Sequence, residues 1–121
     1  LLNRKLKYNE ILVAKTGNKP VGFLIFDYLW YHIPFISFIQ VDKKYRKSGV
    51  GFALITYLEK HLVENNHNLL FSSSAETALE AQIWHKHMGF KECGFISEIN
   101  DDNTCEVFFR KSLKRDAQRI A

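Results

Sequence analysis

The segment Val41-Asp42-Lys43-Lys44-Tyr45-Arg46-Lys47-Ser48-Gly49-Val50-Gly51 constrains this chain more than any other. An apolar run, Ile33–Val41, precedes it and reads as a buried strand. An amphipathic helix, Phe52–Asn65, follows it. A strand that passes through a basic, glycine-containing loop into a helix builds an anion site. The first N–H groups of a helix have no partner inside it, and the helix dipole places partial positive charge at that end. Gly49 and Gly51 keep Cβ atoms out of the way of an approaching phosphate. The expectation is a phosphate-bearing ligand seated on residues 46–51.

The other elements fit around this loop as a single domain. The 121 residues suffice for one domain, 1–121, with one core, and 46% apolar against 25% charged residues is ordinary globular composition. The chain opens on Leu1 rather than Met, which leaves room for a preceding part of the fold. Leu1–Tyr8 reads as the end of a helix. Glu10–Thr16 and Pro20–Tyr28 read as strands joined at Gly17-Asn18, a tight hairpin signal that sets Val13 opposite Gly22. Phe35–Val41 is apolar on both faces except at Ser37 and Gln40, as in a central strand.

Beyond the loop, Leu54, Ile55, Leu58 and Leu62 recur at helical spacing, with Glu59, Lys60 and Glu64 on the other side. Leu69–Ser72 is a short strand. Ser73-Ser74-Ala75-Glu76 fits a capping box for a second helix that runs to about Met88, carries Ala81, Trp84 and Met88 on one stripe, and stops at Gly89. Phe90–Ile99 and Thr104–Lys111 close the domain as a hairpin in which Cys105 faces Glu98, and Leu113–Ala121 is a polar, basic tail. The class is α/β, with a mixed, mostly antiparallel sheet flanked by helices.

Two motifs in the right order give this layout a resemblance. Arg46-x-x-Gly49-x-Gly51 between strand and helix, and Ala81-x-x-Trp84-His85-x-x-x-Gly89-Phe90 later, resemble the two signature segments of the GNAT N-acetyltransferase superfamily. The resemblance covers roughly Glu10 to Leu113. It implies the GNAT fold, a sheet splayed at the cofactor site, and acetyl-CoA as co-substrate. Backbone N–H groups of Arg46, Lys47, Ser48, Gly49, Val50, Gly51 and Phe52 would hold the pyrophosphate. Backbone groups of Ile39 and Val41 would pair with the pantetheine arm, with the thioester between Phe38–Val41 and Leu70–Ser73. The implied reaction is direct transfer of acetyl to a primary amine.

Two proton tasks accompany that chemistry. A Tyr on the later helix usually protonates the leaving thiolate in this family; His85 stands at that position here, and imidazolium can donate near neutral pH. His85 is the expected general acid, against the reading in which it only packs or hydrogen-bonds nearby. No Glu or His base lies among Phe35, Ile36, Ser37 and Phe38, which leaves Asp27, His32, Glu76 or solvent. Ala78 replaces an Asn that often helps hold the cofactor. Tyr28, Trp30 and Tyr31 read either as core or interface aromatics or as a wall of the acceptor pocket.

Other classes fit less well. Net charge is +4, with Lys43, Lys44, Arg46 and Lys47 clustered, yet no nucleic-acid-reading motif accompanies them. His85 and His87 diverge on a helix, and Cys93 and Cys105 lack ligand spacing, so no metal is expected. No G-x-x-x-x-G-K-[ST] occurs, and no apolar run reaches the roughly 20 residues that span a membrane. The cysteines do not suggest a disulfide, and the natural reading is a cytoplasmic protein. The expected partner is a small-molecule or peptide amine, with a homodimer left open, and neither nucleic acid nor membrane. The alternative is a degenerate acyl-CoA-binding GNAT fold acting as a sensor or scaffold.

Overall fold

The computed structural model describes residues 10–113. The helical end expected at Leu1–Tyr8 and the tail after Leu113 lie outside the described residues. Chain order is β1 (Ile11–Thr16), β2 (Lys19–Leu29), β3 (Ile33–Val41), a 3₁₀ turn (Lys43–Tyr45), α1 (Val50–Glu64), β4 (Leu69–Ala75), α2 (Leu79–His87), β5 (Lys91–Ile96) and β6 (Glu106–Ser112). The strands form one six-stranded sheet in the order β1-β2-β3-β4-β6-β5. Only β3 and β4 run parallel, because α1 carries the chain back across the sheet between them.

Both helices lie on one face. Leu24 and Phe26 of β2, Ile36 of β3, Leu70 of β4, and Val107 and Phe109 of β6 point to that face and form one cluster with Leu54, Ile55, Leu58 and Leu62 of α1. Glu59 turns inward more than its spacing suggested and pairs with Lys111 on β6 at 2.6 Å. The opposite face is aromatic. Phe23 and Phe38 lie 5.6 Å apart there, and Phe35 and Phe108 6.0 Å apart. Among the described residues no helix covers it.

Three expectations need correction. Val13 faces Phe23, not Gly22; the ladder starts from the Gly17-Asn18 turn as expected, but a bulge between Ala14 and Lys15 shifts it by one residue. Ser73 caps no helix. The strand runs on to Ala75 because β6 pairs with every residue of it, and α2 starts after Ala78 without a side-chain cap. Cys105 does not face Glu98: the closing strands end at Ile96 and begin at Glu106, and Glu98 sits in the loop with φ 56°. Both cysteines are free.

Candidate active site

The local cause of the site is a bulge in β3. Ile25 faces Phe38 but Phe26 faces Ile36, so Ser37 is an extra residue. A bulge bends its strand and tightens the local twist. The only rung between β3 and β4 is Phe35 to Phe71. Past it β3 turns away, and the sheet opens between Ile36–Val41 and Ser72–Ala75. The opening thus begins two residues later on β4 than Leu70–Ser73 implied. The run expected to be buried is consequently half-open: Pro34 and Ile36 are buried, whereas Phe38 is 48% exposed and Gln40 is exposed. An open strand edge with unpaired N–H and C=O groups is what an extended ligand can join as an added strand.

That edge leads into the basic loop. Asp42 caps the 3₁₀ turn by accepting from Lys44 N at 3.1 Å, and Asp42 N donates to Val21 O at 2.7 Å, so the loop is tied to β2 at its start. Arg46 Nε donates to Val41 O at 3.3 Å, and Ser48 Oγ donates to Tyr45 O. Gly49 then adopts φ 88°, the left-handed conformation that starts α1. A side chain there would meet nothing within 4 Å, so glycine serves the turn rather than clearance.

The first helical bond runs from Ala53 N to Gly49 O at 2.9 Å. The N–H groups of Val50, Gly51 and Phe52 therefore have no partner inside the helix. No acidic residue stands in this first turn, and no side chain caps it. The clearance that does matter is at Gly22, where a Cβ would lie 3.0 Å from Val50 Cγ1 and 3.1 Å from Gln40 O. Gly22 lets the start of α1 close onto β2 and β3.

A groove of two adjoining cavities, about 570 and 410 Å³, follows this path. Such volumes suit a cofactor-sized ligand. Of the expected cofactor residues, Ile39, Val41, Arg46, Lys47 and Gly51 line it. Ser48, Gly49, Val50 and Phe52 do not: Ser48 and Gly49 form the exposed turn, Val50 packs inward and Phe52 is 63% exposed. Gln40, Tyr45, Glu80, Ile83 and His87 line it without having been expected to. Trp84, expected on the core stripe, also faces the groove, with its ring 3.6 Å from where a Cβ on Gly51 would stand.

His85 is the one buried residue of α2, at 3% exposure. Its ring stacks on Phe109 with centroids 4.4 Å apart and planes within 3°. Nδ1 lies 2.7 Å from Ala81 O, which can only accept, so Nδ1 carries a proton. In the neutral ring, Nε2 then accepts from Ser72 Oγ at 2.7 Å. Burial pushes the imidazolium pKa down, opposed by the Ala81 carbonyl and by the negative charge of Glu106 across the sheet. The neutral ring, tying α2 to β4, is the favoured state at pH 7. Ser74 also points to this face, and its Oγ is buried without a hydrogen-bond partner among the described residues.

The other proton-transfer candidates are scattered. Asp27 accepts from Ser37 Oγ at 2.7 Å on the aromatic face. Glu76 accepts from Cys105 N at 2.6 Å, outside the sheet. His32 sits at the β2–β3 turn with Nδ1 2.7 Å from Trp30 O. In that turn His32 N donates to Leu29 O at 3.1 Å, and Trp30 and Tyr31 have φ of 49° and 71°. Both are exposed, at 76% and 99%, beyond the closed end of the sheet. Tyr28 instead packs against Phe26 and His67 at 6.1 and 5.5 Å. Among the described residues no His/Cys/Asp/Glu group could hold a metal, and no helix is long and apolar enough to cross a membrane.

Comparison with known proteins agrees with this geometry. The profile of the acetyltransferase (GNAT) family matches residues 2–90. No curated protein sequence matches the chain. Among solved structures, nourseothricin acetyltransferase superposes with a TM-score of 0.78 at 22% identity, over 86% of this chain and 65% of that one. A Bacillus anthracis str. Ames protein assigned as a streptothricin acetyltransferase, solved with acetyl coenzyme A, gives 0.78 at 24% over 84% and 61%. Ard1 from Thermoplasma volcanium gives 0.83 at 20% over 94% and 76%. The chain thus spans less than two thirds of the first two.

Proposed function

This chain belongs to the GNAT acetyltransferase family, and from that premise we propose that it transfers an acetyl group from acetyl-CoA directly to a primary amine. One observation carries the reading: an open β3 edge runs through a single groove into an uncapped, carboxylate-free helix N-terminus. That sequence of features fits a ligand with an extended amide-bearing arm and a pyrophosphate. Ile39 and Val41 would hold the arm. Arg46, Lys47 and the N–H groups of residues 50–52 would hold the pyrophosphate, with Ser48 and Gly49 shaping the turn. Ser74 Oγ, buried on the far wall, is a further donor for the bound ligand.

Acetyl-CoA supplies an acyl carbon that is already activated as a thioester. The chain's task is then positioning and proton management. His85 can serve the departing sulfur only through Ser72, because Ser72 Oγ closes its Nε2. When protonated, His85 donates to Ser72 Oγ, and the Ser72 hydroxyl passes its own proton outward. Burial restricts this route to acidic pH. At higher pH a thiolate whose conjugate acid has a pKa of about 8.5 leaves without obligatory help.

The burial of His85 is also the observation favouring a second reading, a CoA-binding GNAT fold without turnover. Thermal shift with acetyl-CoA, followed by thiol release over a panel of a polyamine, an aminoglycoside and a peptide with a free N-terminus, tests both. A shift with turnover is expected. A shift without turnover selects the second reading, and no shift overturns both. In the His85→Phe variant, turnover should fall more than acetyl-CoA affinity, with the acidic part of the pH–rate profile altered. An unchanged profile would remove His85 from the reaction.

A further inference from the structure

Consecutive residues of a strand point to opposite faces, and at the opening of the sheet this places two serine hydroxyls back to back. Ser72 faces the helices and meets His85. Ser73 faces the aromatic side and donates to Glu106 Oε2 at 2.7 Å. Glu106 Oε1 accepts from Asn100 Nδ2 at 3.1 Å, and Asn100 Nδ2 also reaches Thr104 Oγ1 at 3.3 Å. Glu106 pairs with Ala75, the last rung of β4, and so stands beside the far wall of the opening. No lysine or arginine is paired with it among the described salt bridges. Two neutral donors hold the carboxylate in one orientation and leave each oxygen an accepting lone pair.

We propose that Glu106, oriented by Ser73 and Asn100, binds the acceptor's ammonium group and takes its proton before attack. This rests on the acetyltransferase reading above and adds the residue that meets the acceptor. The ammonium nitrogen gives one proton to the Glu106 carboxylate, and its freed lone pair forms the C–N bond to the thioester carbon. The C–S bond breaks with its electron pair going to sulfur. The nitrogen's second proton goes to water, as does the first from Glu106, and the sulfur takes up one proton as the thiol, through Ser72 in acid and from water otherwise. The acceptor is therefore a cationic primary amine that approaches over the aromatic face, where Phe35, Phe38 and Phe108 offer ring surfaces to a cation. Asp27, hydrogen-bonded by Ser37, is the competitor on the near wall. It pairs with Phe35, level with the closed rung, whereas Glu106 lies past it.

The test is Glu106→Gln, which removes the charge, keeps Asn100 as a donor to its amide oxygen, and lets its amide N–H donate to a reoriented Ser73 hydroxyl. With the best amine of the panel, kcat/KM should fall about 100-fold, as expected for loss of a general base. Calorimetric binding of that amine to the acetyl-CoA-loaded protein should weaken, while the acetyl-CoA thermal shift stays at the wild-type value. Ser73→Ala, which loosens one oxygen, should lose several-fold in kcat and recover no activity from added acetyl-CoA. Wild-type turnover with an unchanged Glu106→Gln variant overturns the assignment alone. A loss seen instead in Asp27→Asn transfers the role to Asp27. A wild type that binds acetyl-CoA but acetylates no amine overturns this proposal together with the transfer reaction.

Discussion

The two helices are fixed to the same sheet face by different means. α1 buries Leu54, Ile55, Leu58 and Leu62, with Leu58 and Leu62 fully enclosed. α2 buries one residue, and that residue is His85. Their entries differ as well. Neither start has a side-chain cap, but α1 has no acid in its first turn and follows four cations, whereas α2 carries Glu80. A helix start becomes an anion seat by what is withheld from it, namely a capping oxygen and a carboxylate. α1 is held mainly by apolar side chains, with Glu59–Lys111 as one ion pair, whereas the single buried anchor of α2 is a titratable ring.

The comparison can be broken most severely at α1. Leu58→Ala should cost about 3–4 kcal/mol of unfolding free energy, since the side chain is fully enclosed; urea denaturation measures it. Gly49→Asp supplies both withheld features at once, the capping oxygen and the charge. Acetyl-CoA affinity should fall on the order of 100-fold, combining lost dipole attraction with direct repulsion of phosphate. Titration calorimetry measures this, and retained affinity would remove the loop as the phosphate seat.

The α2 anchor is sharpened by acid. Burial lowers the His85 pKa from its ordinary 6.5, so the unfolded chain binds that proton more readily than the folded one. Stability from this group is full above about pH 6.5 and drains as pH falls toward the folded-state pKa, with a slope of up to about 1.4 kcal/mol per pH unit. Denaturation curves between pH 7 and pH 5 should show the decline, and His85→Phe should flatten it. A parallel decline in the variant would assign the acid sensitivity elsewhere. The smallest effect is expected from Glu80→Gln. Removing this carboxylate from the groove should raise acetyl-CoA affinity about two- to five-fold, in line with an exposed charge worth roughly 0.3–1 kcal/mol.

The same contrast explains what was legible in the chain. The α1 stripe and the basic loop are local patterns, and both stand where periodicity and loop chemistry put them. The family followed from two local motifs in the correct order. The setting of His85 was not legible, because it depends on Ser72 and Phe109, which belong to other strands. Ser73 to Glu106 spans thirty-three residues and exists only once β4 and β6 are in register. Ser73-Ser74-Ala75-Glu76 satisfied a capping pattern, but a full ladder with β6 outweighed one cap. The bulges at Ala14/Lys15 and at Ser37 carry no signal of their own in composition.

The single rung at Phe35–Phe71 has a consequence for how the protein assembles. It is the one hydrogen-bonded join between β1-β2-β3, made wholly of neighbouring hairpins, and β4-β6-β5, where β5–β6 is a local hairpin but β4 reaches β6 only across the segment that holds α2 and β5. Short loops close with less entropy loss, so the β1-β2-β3 and β5–β6 hairpins should form early and β4 should join them late. Amide exchange started during refolding should show protection in β2 before β4. A ligand lying along β3 and reaching Ser74 would bridge the two halves, so its binding should slow the rate at which they come apart.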